Sequence, residues 1–260
     1  MFPFQDDNPV SRLPLATYLI IAVNALAFLW SAGLSEQQLY LLHFERGFVP
    51  ARIGQLTDPR PLQVKIQGMV EDRFGRPREV APNLTLLPDR QQILLSLLTC
   101  MFLHGGWMHL LGNMWFLWIF GDNVEDRLGA VRYLGLYLLG GLAATATHWF
   151  QDPSSTIPVI GASGAVAAVL GAYAITWPHA RVHTLVVLVV FVTIIDLPAL
   201  LVLGVWFGAQ VLSGMQPVEA GEVAGVAWWA HVGGFLAGMI LMPLLKATTP
   251  PRRQYEDRPW

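Results

Sequence analysis

The chain has one cysteine, Cys100, and little charge: Asp, Glu, Lys and Arg make up 13% of its 260 residues. A lone cysteine cannot close an intrachain disulfide and leaves no thiolate set for a metal cluster. Cys100 lies in the apolar stretch 94–103, where packing accounts for it better than nucleophilic chemistry. A soluble globular domain carries about 25% charged residues, so the deficit argues against one. Excess charge of either sign is also missing. The formal net charge of -2 leaves no basic footprint for nucleic acid.

Apolar residues fill that space. They make up 54% of the chain, with ten Trp and thirteen Phe. Apolar runs close to the ~20 residues that cross a bilayer recur along it. The expected architecture is an all-α polytopic membrane protein of six transmembrane helices, with a long extracytoplasmic loop between helices 1 and 2. Residues 1–13 form a polar cytoplasmic segment and 14–33 the first span. Residues 34–90, rich in charge and proline, form an extracytoplasmic loop domain. Residues 91–246 hold helices 2–6, and 247–260 are a polar cytoplasmic tail.

Within 91–246, residues 91–103 form an apolar helix too short to cross. The remaining spans are read at 107–120, 133–150, 160–177, 197–213 and 227–245. The apolar segment 182–195 is placed at the interface or against the bundle, with Asp196 and Pro198 marking the break before the fifth span. In the loop domain, alternation over 62–66 and 80–86 allows a small hairpin.

Basic residues test this count, because short cytoplasmic loops collect Lys and Arg. Arg127, Arg132 and Arg181 fall in loops on one side, together with the basic tail. The alternate short loops, 151–159 and 214–225, contain none. Both termini therefore lie in the cytoplasm. Eight basic residues in 34–90 do not disturb the pattern, since large loops cross regardless of charge.

Polar side chains inside a membrane are costly and mark function. This topology brings four to one depth, near the outer face: Ser163 on the fourth span, His231 on the sixth, and His109 and Asn113 on the second. A serine hydroxyl is a poor nucleophile until a hydrogen-bonded base takes its proton. His231 is that base. Gly161 and Gly164 clear bulk around Ser163, and Gly234-x-x-x-Gly238 is a small-residue face that lets the sixth helix approach the fourth closely. The docking face of the fourth helix is read as Ser163, Ala167 and Gly171. His109 and Asn113, four apart, share a helix face. With the Ser163 N–H they would donate to a developing oxyanion.

No carboxylate is found at this depth, so a Ser–His dyad is expected rather than a triad. A Ser–Lys pair is excluded, because Lys65 and Lys246 are the only lysines. A metal site built from His104, His109 and His231 is the other reading of the same side chains. It lacks both a His-Glu-x-x-His motif and a carboxylate to act as base. Neither metal nor cofactor is expected.

At this point residues 90–245 resemble the rhomboid intramembrane serine proteases. His109-Leu110-Leu111-Gly112-Asn113 is similar to the family's His-x-x-x-Asn on the second core helix. Gly161-Ala162-Ser163-Gly164 is similar to its Gly-x-Ser-Gly on the fourth. Ala230-His231-Val232-Gly233-Gly234-Phe235-Leu236-Ala237-Gly238 is similar to its Ala-His-x-x-Gly-x-x-x-Gly on the sixth. His104 resembles a further family histidine, and Glu125 and Arg127 its Glu-x-Arg pair at the cytoplasmic end of helix two. The resemblance implies cleavage of single-span or polytopic membrane proteins near their helix ends, without metal or cofactor. It also implies lateral substrate entry by movement of helix five and the loop after it. Many members place a Tyr against the catalytic His, four residues after the serine. Ala167 stands there in this chain, so another side chain must hold the imidazole.

Two other functions compete. A catalytically inactive relative would bind membrane clients, but such relatives lose the Ser or the His. A small transporter or channel would need charge or broken helices near the midplane, which only Asp196 approaches. The compact chain, without a recognisable transit peptide, is expected in a prokaryotic cell (inner) membrane, with the active site facing the extracytoplasmic side.

Overall fold

The computed structural model describes residues 2–65, 68–71, 77–80, 83–188, 191–216 and 226–248. Helices occupy each stretch read as a span. The first is α1 (Leu15–Ala32). A short helix, α2 (Glu36–Arg46), follows in the loop domain, opened by a reciprocal capping box between Ser35 and Gln38. The stretch read as a short non-crossing helix is α3 (Arg90–Thr99), tightening into a 3-10 turn over Cys100–Phe102. The others are α4 (Trp107–Leu128), α5 (Ala130–Gln151), α6 (Ser163–Thr176), α7 (Ala199–Gly214) and α8 (Trp228–Ala247).

By length and composition α1 and α8 each suffice to cross a bilayer. The α3 stretch and α4 pass together as a third candidate, bent by 76° at the break between them. Helices α6 and α7 are shorter and apolar. The lipid-compatible surface is visible in the exposed Leu19, Leu26, Leu29 and Trp30 of α1 and the exposed Ile240 and Leu244 of α8.

The α4 helix runs eight residues past its expected end, straight through the charged stretch. Asp122, Glu125 and Asp126 therefore lie within a helix read as free of carboxylates. They are tolerated because they have partners. Glu125, 5% exposed, accepts the N–H groups of Ala16 (2.9 Å) and Thr17 (2.7 Å) and the Thr17 hydroxyl (2.8 Å). Asp126 accepts from the Ser11 N–H (3.1 Å) and hydroxyl. All three acids sit at the end of α4 opposite His109.

The all-α expectation needs correction, since three small antiparallel sheets accompany the helices. In the loop domain, β2 (Leu62–Lys65) pairs with β5 (Asn83–Leu86), as the alternation suggested, and β3 (Gly68–Glu71) pairs with β4 (Pro77–Val80). Val64 and Leu86 bury there against Phe44 and Val49. The larger correction concerns 182–195. This segment is a β-hairpin, β6 (Arg181–Leu188) and β7 (Phe191–Pro198), paired from Arg181↔Pro198 to Leu188↔Phe191. Its Val, Thr and Ile content suits a pleated surface better than a helix.

The first residues, read as part of a polar cytoplasmic segment, supply a third strand. Strand β1 (Phe2–Asp6) adds antiparallel to β6. It lies against α4, where Trp115 Nε1 donates to the Pro3 carbonyl (2.7 Å) and the Trp115 ring stacks on Phe2. Trp115 is 13 residues from Leu128 along α4, about 20 Å at helical rise. So β1 climbs beside the bundle. Asp6 accepts from the Tyr173 hydroxyl and from Asn123 Nδ2 (3.1 Å).

Candidate active site

The contact that organises the site is that of α6 with α8. A Cβ on Gly234 would lie 2.1 Å from the Gly164 carbonyl oxygen, and one on Gly238 would lie 1.8 Å from that of Ala168. Only hydrogen fits at either position, so the backbones meet directly. The small-residue face read from the sequence is therefore used for packing. The docked face of α6 is Gly164, Ala167, Ala168 and Gly171, with Ser163 at its edge rather than at its centre.

Ser163 is the first residue of α6 and is half-buried. The first N–H groups of a helix have no intrahelical acceptor, so the Ser163 N–H is free to donate. The approach to it is held from three sides. Phe48 and Val159 exchange two backbone hydrogen bonds, 2.9 and 2.7 Å, which tie the loop domain to the strand-like run before the serine. The Gly161 N–H donates to the Cys100 carbonyl (2.9 Å). Gly161 itself has φ +122°, and a Cβ there would lie 2.5 Å from His109 Nε2. Glycine is thus required twice, by backbone conformation and by the imidazole pressed against it. The same contact places His109 beside the loop that leads into Ser163.

His231, 7% exposed, lies in the first turn of α8. Gly164 and Ala230, the immediate neighbours of Ser163 and His231, face each other: a Gly164 Cβ would be 3.7 Å from the Ala230 oxygen. The serine and histidine are thus on adjoining turns of touching helices, but no hydrogen bond joins Ser163 Oγ to His231 Nε2. Catalytic hydrogen bonds are commonly long in unliganded sites and tighten with substrate. Asn113 Nδ2 lies 3.1 Å from His104 Nε2, and the His104 and His109 rings meet edge to face at 5.1 Å. The cluster His104, His109, Asn113 and Gly161 therefore forms one wall. Among the described residues no group of three or more His, Cys, Asp or Glu is arranged to hold a metal ion.

One partner was missed. His231 Nδ1 is 2.6 Å from Gln210 Oε1 on α7. The absence of a carboxylate at this depth does not leave the imidazole without a polar partner. Gln210 is the one amide on a helix whose other side chains are apolar apart from Ser213, and that isolation was the available signal. The His231 ring also packs against Trp206 (5.9 Å, tilted) and Trp228 (6.1 Å, edge-on). Ala167, fully buried in the helix contact, cannot reach it in the way a tyrosine would.

A family model described as the Rhomboid domain matches residues 91–248. The chain is 32% identical to "RHOMBOID-like protein 5" of Arabidopsis thaliana, over 65% of this chain and 52% of that protein. It is 32% identical to "Rhomboid-like protein 11, chloroplastic" of the same plant, over 56% and 51% respectively. It is also 32% identical to "Rhomboid-like protease 5" of Toxoplasma gondii, over 54% of this chain and 15% of that protein. The chain spans about half the length of the two plant relatives. These relatives are eukaryotic and one is organellar, so they lend no support to the expected prokaryotic membrane. With the Rhomboid domain covering well over half of it, this chain belongs to the rhomboid family.

Proposed function

We propose that the protein is an intramembrane serine endopeptidase that cleaves membrane-protein substrates within or near the bilayer. The observation that carries this reading is the backbone contact of α6 with α8, which sets Ser163 and His231 on adjoining turns beside His109. In this reading Ser163 Oγ attacks the scissile carbonyl carbon while His231 Nε2 takes the hydroxyl proton. The oxyanion that forms is met by the Ser163 N–H and by the His109 and Asn113 side chains. His231 then protonates the leaving amine, and water attacking the acyl-enzyme releases the second product. Asn113 is oriented for its part by His104. The site opens to the extracytoplasmic side of a six-span bundle, and substrate arrives through the lipid.

The test uses purified protein in nanodiscs with a panel of single-span substrates, the cut site being mapped by mass. Cleavage is expected, and Ser163→Ala, His231→Ala and the double variant should share one low residual rate, because residues that act as a unit fail together. Normal turnover by folded Ser163→Ala would end the serine-protease reading. Capture of intact substrate by the wild type, with no cleavage, would favour the inactive client-binding alternative.

A further inference from the structure

We infer that Gln210 is the positioning residue for the His231 imidazole, in the place a carboxylate holds in a triad. The inference rests on the protease reading above and deepens it. Gln210 is 7% exposed, and its amide is committed at both ends. Nε2 donates to the Trp206 carbonyl one turn back (3.2 Å), so the oxygen end is the one presented to His231, at 2.6 Å. An oxygen at Nδ1 accepts a hydrogen bond, so Nδ1 carries the proton in the neutral ring. Nε2 is then left with its lone pair, the form needed to take a proton from Ser163. One hydrogen bond thereby fixes both the tautomer and the ring angle. Trp206 and Trp228 confine the ring from two other directions.

The choice of an amide has a physical basis. A carboxylate buried among α7, α8 and their tryptophans would lose its hydration, at a cost that a single hydrogen bond does not offset. Gln210 supplies the acceptor without the charge. It does so from α7, the helix before the loop that reaches α8. Any displacement of α7 away from α8 therefore withdraws the acceptor from His231.

The experiment compares wild type, Ser163→Ala, Gln210→Leu and Gln210→Glu in nanodiscs, measuring kcat, KM, the pH–rate profile and Tm on each. Gln210→Leu keeps the bulk and removes the acceptor. Its kcat should fall about 10–100-fold, part of the 10²–10⁴ that a positioned base contributes, with KM within about twofold of wild type. Gln210→Glu keeps an oxygen in place. It should recover part of the kcat relative to Gln210→Leu, at a Tm below wild type because the carboxyl is desolvated, and displace the acid limb of the pH profile, since a second titrating group now faces the ring. Wild-type kcat in Gln210→Leu overturns the role while leaving the protease reading intact. A kcat loss that merely follows Tm, with the Glu variant's profile unmoved, overturns it equally. Absence of any Ser163-dependent turnover in the wild type sinks the protease reading first, and the role with it.

Discussion

Gly161 is where conformation and chemistry are hardest to separate. Its φ of +122° lies where L side chains are strained, and the space a Cβ would take is filled by His109. Gly161→Ala should therefore force either the loop or the imidazole to move. The backbone term alone costs about 1–3 kcal/mol. The expected outcome is a modest fall in Tm together with a kcat loss of at least tenfold and KM little changed, because His109 is displaced from where the proposed mechanism has the oxyanion form. A Tm loss with wild-type kcat would detach Gly161 and His109 from the chemistry. At this scale much of the candidate site was legible. Ser163, His231, His109, Asn113 and the glycines stand out as polar or small residues in apolar runs, and helical periodicity assigns their depth. Gln210 shows the limit. Depth can be counted from sequence, but which face of α7 turns toward α8 is decided by packing, and a lone amide does not announce which side chain it will meet.

The elements that sequence periodicity missed are the strands at the side of the bundle. A continuous apolar run with no alternation reads equally as buried helix or buried strand, and 182–195 was such a run. Strand β1 could not be foreseen, because its partner β6 lies some 180 residues later in the chain. Its docking carries a pH signature. Burial pushes the Asp6 carboxyl up to about 7, the neighbouring Asp122 and Asp7 adding to the shift and the Tyr173 hydroxyl opposing it. At the strand's end, His183 Nδ1 faces Asp196 (2.6 Å) and Nε2 faces Asp7 (2.8 Å), and these hydrogen bonds raise the imidazole's pKa. Both groups bind protons more tightly when β1 is docked. Their contribution is therefore complete below their unfolded pKa values and is lost as pH rises through the docked ones. For Asp6 that window runs from 3.8 to about 7, and for His183 it begins at 6.5 and extends upward. Amide exchange in residues 2–6, corrected for intrinsic rates, should show protection falling from pH 5 to pH 8.5. His183→Gln should flatten the upper part of that fall. Protection that rises with pH would contradict the assignment.

Across the whole molecule, the end of the bundle opposite Ser163 is held by buried polar contacts. Outside the loop domain, β1, α1 and α4 meet there through side chains rather than through backbone packing of the α6–α8 kind. Helix α1 begins after Pro14 without a side-chain cap of its own. The first N–H groups of any helix need acceptors, and in α1 two of them find Glu125, 109 and 108 residues away in sequence. A carboxylate at a helix N-terminus also meets the positive end of the helix dipole. Glu125 is thus an N-cap supplied from α4, and it joins the first helix to the rest of the bundle. Removing it as Glu125→Ala leaves two buried N–H donors and the Thr17 hydroxyl without their acceptor, a loss of about 2–4 kcal/mol at ~1–3 kcal/mol per unsatisfied group, reduced by local relaxation. Because α1 supplies none of Ser163, His231, His109 or Gln210, the loss should fall on stability and not on the chemical step. In detergent, Glu125→Ala should unfold at lower temperature than wild type, with α1 amides losing protection before those of α6 and α8. Its Ser163-dependent kcat at low temperature should stay within a fewfold of wild type. Glu125→Gln, which keeps one acceptor oxygen, should fall between the two in Tm. Unchanged Tm in Glu125→Ala would show that α1 is held by lipid and apolar contact alone. A kcat loss as large as that of Gln210→Leu would show instead that the two ends of the bundle are coupled.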